Sequence, residues 1–457
     1  MNSTIHNHAR RAFLRRAAQL SVAAGTPLAA TLLAAGAASA QTAAGYKALV
    51  CINLSGGNDQ SNTVVPTGGA EYNAYVAARP AMALQRSQLL DLAPQGYSGQ
   101  PLALHSALSG IKPLFDQGRV ALLANVGPLA APITKAQWNS GRPTVAVPAQ
   151  LTSHSDQQSA WQTGLPDRPS ETGWLGRVGD LTASAYNPGS GVSIAMSVAG
   201  NNMLQAGDST IQYQLTTQGA VKVRALNDLY GSAAGAAAIR RLMTDSRSQL
   251  FENELAKVSA RAISGEALVT NALAGVSLTT VFPATSIGKQ LEMVARMVAA
   301  RGALAQGRQL FFVQHGGYDF HDDLPASQAL KLKELGDAMA AFYAATAALG
   351  VANNVTAFTT SEFGRALQSN GRGSDHGWGG HHFIMGGAVL GNRVYGSVPT
   401  VAIGGPEDSG QGRLIPTTSV DEYAATLTRW FGVSDANMPT VLPNLSRFPK
   451  PNLGFMA

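Results

Sequence analysis

Cysteine is almost missing from this chain. The 457 residues hold one, Cys51, so no intrachain disulfide can form and stability has to come from a packed core. Its place inside an apolar run marks it as a small buried hydrophobe rather than a reactive thiol. Charge is scarce as well, at 13%, while apolar residues reach 45%, a balance that excludes a disordered chain and fits a globular one. The positive excess is local: the formal +6 falls to +2 once Arg10, Arg11, Arg15 and Arg16, in an acid-free stretch of forty residues, are set aside. No Lys/Arg cluster occurs beyond them, which argues against a nucleic-acid partner. No long unbroken apolar run exists either. The Ala/Leu stretch near the N-terminus is interrupted by Gly25 and Pro27, so no stable transmembrane anchor is expected.

That stretch reads as an address. Paired arginines precede Phe13 and Leu14, a moderately apolar segment follows, and Ala38-Ser39-Ala40 stands before Gln41. The pattern resembles a bacterial twin-arginine signal cleaved after Ala40, which makes residues 1–40 a signal peptide and 41–457 the folded domain. The implied partner is the twin-arginine translocase, and the implied location is periplasmic or secreted.

Five short apolar runs read as strands, beginning at Lys47, Arg119, Gly191, Arg308 and Asn354. Helical spacing separates them. Ile287, Leu291, Val294 and Val298 recur on one helical face, as do Leu332, Leu335, Met339, Phe342 and Leu349, and Ser419 with Glu422 forms a capping-box pattern before a last helix. Strands apolar on both faces, alternating with helices, predict an α/β fold with a mostly parallel sheet covered on both sides. Residues 200–285 read as a helical insertion, and the Pro-rich stretch 128–148 as a surface loop.

Open parallel sheets gather ligands at the carboxyl ends of their strands. Applied here, that rule brings Asp59, then His315, Asp319 and His321, then Glu362 to one edge, each after a separate strand. Gly56-Gly57 and Gly316-Gly317 supply the positive φ that turns the chain back and aims the acids inward. Nine histidines are present, and five lie between 315 and 382. Asp375, His376, His381 and His382 crowd a Gly-rich loop entering a further strand, where His382 is expected to face the core because strand neighbours alternate. Imidazoles with carboxylates suit Zn²⁺ first, and Mn²⁺, Mg²⁺ or Ca²⁺ where carboxylates dominate. A separate group, His154, Ser155 and Asp156, reads as a helix start, with Ser153 or Ser155 as the cap.

"NLSGGNDQSNTVVP", "SHSDQQSAWQTG", "GGYDFH", "TTSEFGR" and "SDHGWGGHHFIMGG", in that order behind the signal, resemble the domain-of-unknown-function 1501 family across essentially the whole mature chain. That family is grouped with the alkaline phosphatase and sulfatase superfamily, whose members use one or two divalent metals to hydrolyse phosphate or sulfate esters. The resemblance implies an alkaline-phosphatase-like fold. It makes Asp59 the first metal aspartate, Asp319 and His321 the middle pair, Glu362 a metal carboxylate, and His376 or His381, near Asp375, the late histidine. Phe363 stands where the superfamily has a histidine ligand. Tyr318, Phe320 and Ser155 replace Trp, Thr and Phe of the family pattern, and no Ser or Thr matches the superfamily nucleophile.

Two functions follow as expectations. One is an exported metal-dependent hydrolase of a small anionic ester, in which Ser155, Thr63 or a water attacks, His154 or His376 moves the proton and Arg365 stabilises the anion. The other is a non-catalytic envelope protein that keeps the fold as a binding module.

Overall fold

The computed structural model describes residues 45–140 and 145–457; the signal expected at 1–40 lies outside the described residues. Among these the strands are, in chain order, β1 (Lys47–Ser55), β2 (Val64–Pro66), β3 (Leu89–Asp91), β4 (Leu102–His105), β5 (Val120–Gly127), β6 (Ala195–Ser197), β7 (Tyr213–Thr216), β8 (Gly219–Ala220), β9 (Arg308–Gly316), β10 (Val355–Thr360), β11 (Arg365–Ser369), β12 (Ser374–His376), β13 (Gly380–Gly386), β14 (Val394–Tyr395) and β15 (Thr418–Ser419). One ten-stranded sheet runs β14-β5-β13-β10-β1-β9-β6-β7-β8, with β15 beside β5. Its centre is parallel: β1 pairs in parallel with both β9 and β10. β13 runs antiparallel between β10 and β5. It follows β10 through the short hairpin β11–β12 rather than through a helix, and so short a return can only deliver an antiparallel neighbour.

The alternation of side chains along these strands builds two cores. Val50, Ile52 and Leu54 of β1, with Phe311 and Val313 of β9, pack against helices Ser286–Ala299 and Leu324–Ala348. Leu49 and Cys51, with Leu310, Phe312 and Phe358, pack on the other face under helices Trp174–Tyr186 and Val420–Phe431. The fold class is therefore the expected one, a mostly parallel sheet with helices on both faces. The expected faces of the two long helices are buried except for Leu349, which is the partly buried C-cap of the second, and Ser419 and Glu422 close a reciprocal capping box. Cys51 is fully buried, and burial pushes its thiol up to about 12, opposed by a hydrogen bond with Thr360.

Two regions differ from the sequence reading. Of the run starting at Gly191, only Ala195–Ser197 joins the sheet. Residues 200–285 hold two helices, Ala233–Thr244 and Leu250–Ala274, but also add β7 and β8 to the sheet edge. Strands of four and two residues are too short for a period of two to register. The stretch 128–148 carries a short capped helix, Lys135–Asn139.

Candidate metal centre

β1 ends in the turn that the paired glycines make possible. Gly56 and Gly57 take φ of +119° and +86°, and both are crowded: a Cβ on Gly56 would lie 2.4 Å from the Asp319 amide, and one on Gly57 2.4 Å from the Phe363 ring. No other residue fits this backbone. The close approach lets the Gly56 N–H donate to Glu362 Oε1 at 2.8 Å, which ties the end of β1 to the residues that follow β10.

Glu362 then reaches the helix His154–Thr163, whose N-cap is Ser153. His154 Nδ1 lies 2.9 Å from Glu362 Oε1. A carboxylate can only accept, so the imidazole donates from Nδ1, and in the neutral ring Nε2 carries the lone pair. That Nε2 faces Asp319 Oδ2 at 3.5 Å. His376 is arranged in the same way. Its Nδ1 donates to the Thr152 carbonyl at 2.7 Å, and its Nε2 stands 3.1 Å from Asp319 Oδ1. One ligand atom from each of His154, Asp319 and His376 thus falls within 4.8 Å of the others. His321 completes the ring, with Nε2 3.0 Å from His376 Nε2 and 3.1 Å from Asp319 Oδ1. Its Nδ1 is 3.6 Å from Asp375 Oδ1.

Burial, its largest influence, lowers the His376 pKa below the ordinary imidazole value, against the Thr152 and Asp319 hydrogen bonds. Burial thus favours the neutral form of His376. Partial burial works to raise the Asp319 carboxyl, but Arg365, His376 and His321 outweigh it and hold the pKa below the usual carboxylate range. The Arg365 guanidinium already meets Asp319 Oδ1, and a cation between the carboxylate and neutral imidazoles would add to that balance. The donor set fits Zn²⁺ or a similar divalent ion, each ligating imidazole being fixed by a hydrogen bond from its other nitrogen. The side chains of His154, Asp319 and His321 are 40 to 46% exposed, so the centre opens to solvent.

Several expected site residues sit elsewhere. Asp59 is fully buried; it caps helix Gln60–Thr63 and pairs with Arg79 at 2.6 Å. Both oxygens serve the fold and none meets the cluster. Arg365 is also fully buried. Its guanidinium donates to the carbonyls of Gly56, Gly57, Tyr318 and Ser374 and to Asp319, so it holds the turns together rather than waiting for an anion. His381 lies on β13, where Nδ1 accepts the Asn125 N–H at 3.0 Å, and burial lowers its pKa to about 4. His382 faces the core as expected, stacked on Tyr423 and edge-on to Trp161. His315 turns away to Tyr318 and Glu334. Ser155 is exposed, with its hydroxyl 3.2 Å from that of Ser153. Thr63 is buried, and its hydroxyl donates to the Asp59 carbonyl.

The structure also gives Phe363 a place in the site and adds Thr152 and Arg79, which the sequence did not single out. Phe363 stacks on His376 with ring centres 4.4 Å apart, so the residue in place of a histidine ligand is a wall of the site. The Thr152 carbonyl and Arg79 carry no local pattern from which their roles could be read.

Known structures with similarity to the chain are distant. A sulfatase from Pseudoalteromonas sp., PsFucS1, is 10% identical, with 90% of this chain and 72% of that one covered at a TM-score of 0.34. A protein of a glycosaminoglycan-metabolism locus of Bacteroides thetaiotaomicron is 9% identical, with 86% and 74% covered at 0.34. A mutant of the alkaline phosphatase PafA is 11% identical, with 71% and 64% covered at 0.28. Likeness of this order says nothing about what this chain binds. Comparison with curated proteins gives no match. The sequence itself is more decisive: it matches the family described as "Protein of unknown function (DUF1501)" over residues 46–439, and the chain belongs to that family.

Proposed function

We propose that the chain is an exported hydrolase of phosphate or sulfate esters that depends on a divalent cation held by His154, Asp319 and His376. The observation that carries this reading is the pair of Nε2 atoms that face one carboxylate, each imidazole locked by a donor bond from its far side. A cation bound there would supply a Lewis acid for an ester oxygen. Phe363 shields one face of His376, while Glu362, locked by Gly56, orients His154. Neither hydroxyl named from the sequence reaches the cluster, which leaves water as the nucleophile. His321, half-exposed and flanked by Asp375, is the group placed to accept its proton.

A second reading, a non-catalytic envelope binding protein, is favoured by Arg365, whose donors are engaged within the protein instead of facing a substrate anion. Assay of the zinc-loaded mature chain on aryl phosphates and aryl sulfates separates the two. The hydrolase reading expects turnover that EDTA removes and that Asp319→Ala lacks. Zinc binding without turnover across the panel hands the case to the binding protein. Export is tested apart from this: Arg10→Lys with Arg11→Lys should strand the precursor in the cytoplasm, and mature protein still reaching the periplasm would contradict the twin-arginine route. No described helix is long and apolar enough to cross a membrane.

A further inference from the structure

Behind the cluster, on the sheet face that carries Cys51 and Phe312, a cavity of about 10 Å³ lies among Asn53, Trp161, Trp174, Leu204, Phe312 and Glu362. That is room for a single oxygen, since one water occupies about 10–15 Å³ on this measure. Four of its nine lining residues bring a buried polar atom with no partner in the protein: Asn53 Nδ2, Trp161 Nε1, Trp174 Nε1 and Glu362 Oε2. None of these four residues is more than 4% exposed. Buried polar atoms are nearly always bonded, so four of them on the residues lining one small space point to a site rather than an accident. Three are N–H donors and one is a carboxylate acceptor. The smallest group that serves both kinds is an oxygen with two lone pairs and a proton to give.

The fold prepares each of these atoms. Asn53 stands on β1, and Thr360, at the end of β10, donates to its Oδ1 at 3.0 Å, which leaves Nδ2 as the unsatisfied end. Trp161 follows His154 by seven residues on one helix, and that spacing puts the two side chains on the same face. Glu362 is the link between cavity and cluster: Oε1 takes the Gly56 and His154 hydrogens, and Oε2 is the free atom.

We propose that this cavity binds one ordered water and that Asn53, Trp161 and Trp174 act through it as positioning residues. They hold Glu362 so that its other oxygen fixes the tautomer and aim of His154. The water site stands on the cavity and its four polar atoms. Its effect on cation affinity rests on the reading of the cluster as a metal centre.

A high-resolution crystal structure of the mature chain tests the site, with zinc affinity of variants, by competition with a chromogenic chelator, testing its role. The structure should show one oxygen within about 3.2 Å of Glu362 Oε2 and of at least two of the three N–H groups. Trp174→Phe removes a donor and should weaken zinc binding about tenfold or more, the size of effect known for outer partners of metal ligands. Its melting in EDTA serves as the control for folding. Should that variant not fold, indole N–H exchange by NMR replaces it: the Trp161 and Trp174 protons should exchange slowly in the parent and faster in Glu362→Gln. A dry cavity, with Glu362 turned to bond an indole directly, overturns the site whether or not zinc binds. The oxygen present with unchanged zinc affinity in Trp174→Phe overturns the positioning role. The oxygen present in a chain that binds no zinc leaves the water site standing and contradicts the metal centre instead.

Discussion

Two aspartates of this chain sit in the same sequence pattern and have opposite fates. Gly56-Gly57-Asn58-Asp59 follows β1 and Gly316-Gly317-Tyr318-Asp319 follows β9, its parallel neighbour. Both runs turn the chain at the same edge of the sheet, the first through positive φ at Gly56 and Gly57 and the second, against expectation, at Gly317 alone, since Gly316 is still part of β9. Asp59 is nevertheless sealed against Arg79, whereas Asp319 stands 45% exposed among three imidazoles. The difference lies in what distant segments deliver. Helix Gly69–Ala78 ends beside Asp59 and its C-cap, Arg79, brings a guanidinium. Helix His154–Thr163 and strand β12 bring His154 and His376 to Asp319. The turn sets where a carboxylate goes, and the partner decides whether it serves the fold or a ligand.

The largest effect that would break this comparison is on stability. Asp59→Ala should destabilise the chain by about 3–5 kcal/mol, because it leaves the Arg79 charge buried without a counter-ion. Asp319→Ala takes one partner from the buried Arg365 as well, but four carbonyls still hold that guanidinium, so the loss of metal-free stability should be smaller. Denaturant unfolding of both variants in EDTA checks this, and equal losses would mean that the two carboxylates do the same work.

Metal removal sharpens the same contrast. If the cation binds only the folded chain, EDTA should lower stability by about 4 kcal/mol relative to free zinc at a thousand times its dissociation constant. Asp319→Ala should lose that response, and it should persist in Asp59→Asn. Persistence in Asp319→Ala would place the cation elsewhere.

This asymmetry also shows how far the sequence could be read. The five strands, both long helices, the last cap and the edge at which the acids collect follow from local periodicity and turn chemistry. Asp319, His321, Glu362, Asp375 and His376 do come together there, and His382 does face inward. What could not be read was pairing over long sequence separation: Asp59 with Arg79, Arg365 with four carbonyls, His381 with the Asn125 amide. Each of those bonds is set by tertiary approach, and nothing in a short window marks it. His154 was visible as a helix start, but that it lends a nitrogen to the cluster depends on Glu362, more than two hundred residues away.

A smaller effect concerns the two histidines that leave the cluster. Burial holds the pKa of His381 near about 4 and that of His382 near about 3, the latter helped by His381. In the unfolded chain both bind protons from about pH 6.5. Below that pH the unfolded state takes up more protons than the folded one. The contribution of the two histidines to stability is therefore full above pH 6.5 and falls, by about 1.4 kcal/mol per pH unit for each histidine, until the folded pKa values are reached, while Asp421, raised to about 8 by burial, works in the opposite direction. Melting in EDTA between pH 7 and 5 should show this decline, and His382→Phe should make it shallower. An unchanged slope would mean that His382 is not buried in its neutral form.

The central claim is that His154, Asp319 and His376 hold a divalent cation. Isothermal titration of the mature chain with Zn²⁺ at pH 7 tests it most directly, beside Asp319→Ala and Asp59→Asn. The geometry predicts saturable zinc binding in the parent and in Asp59→Asn, and its loss in Asp319→Ala with the fold intact. A folded parent chain that takes up no zinc, or an Asp319→Ala variant that binds it as well as the parent, would contradict the claim.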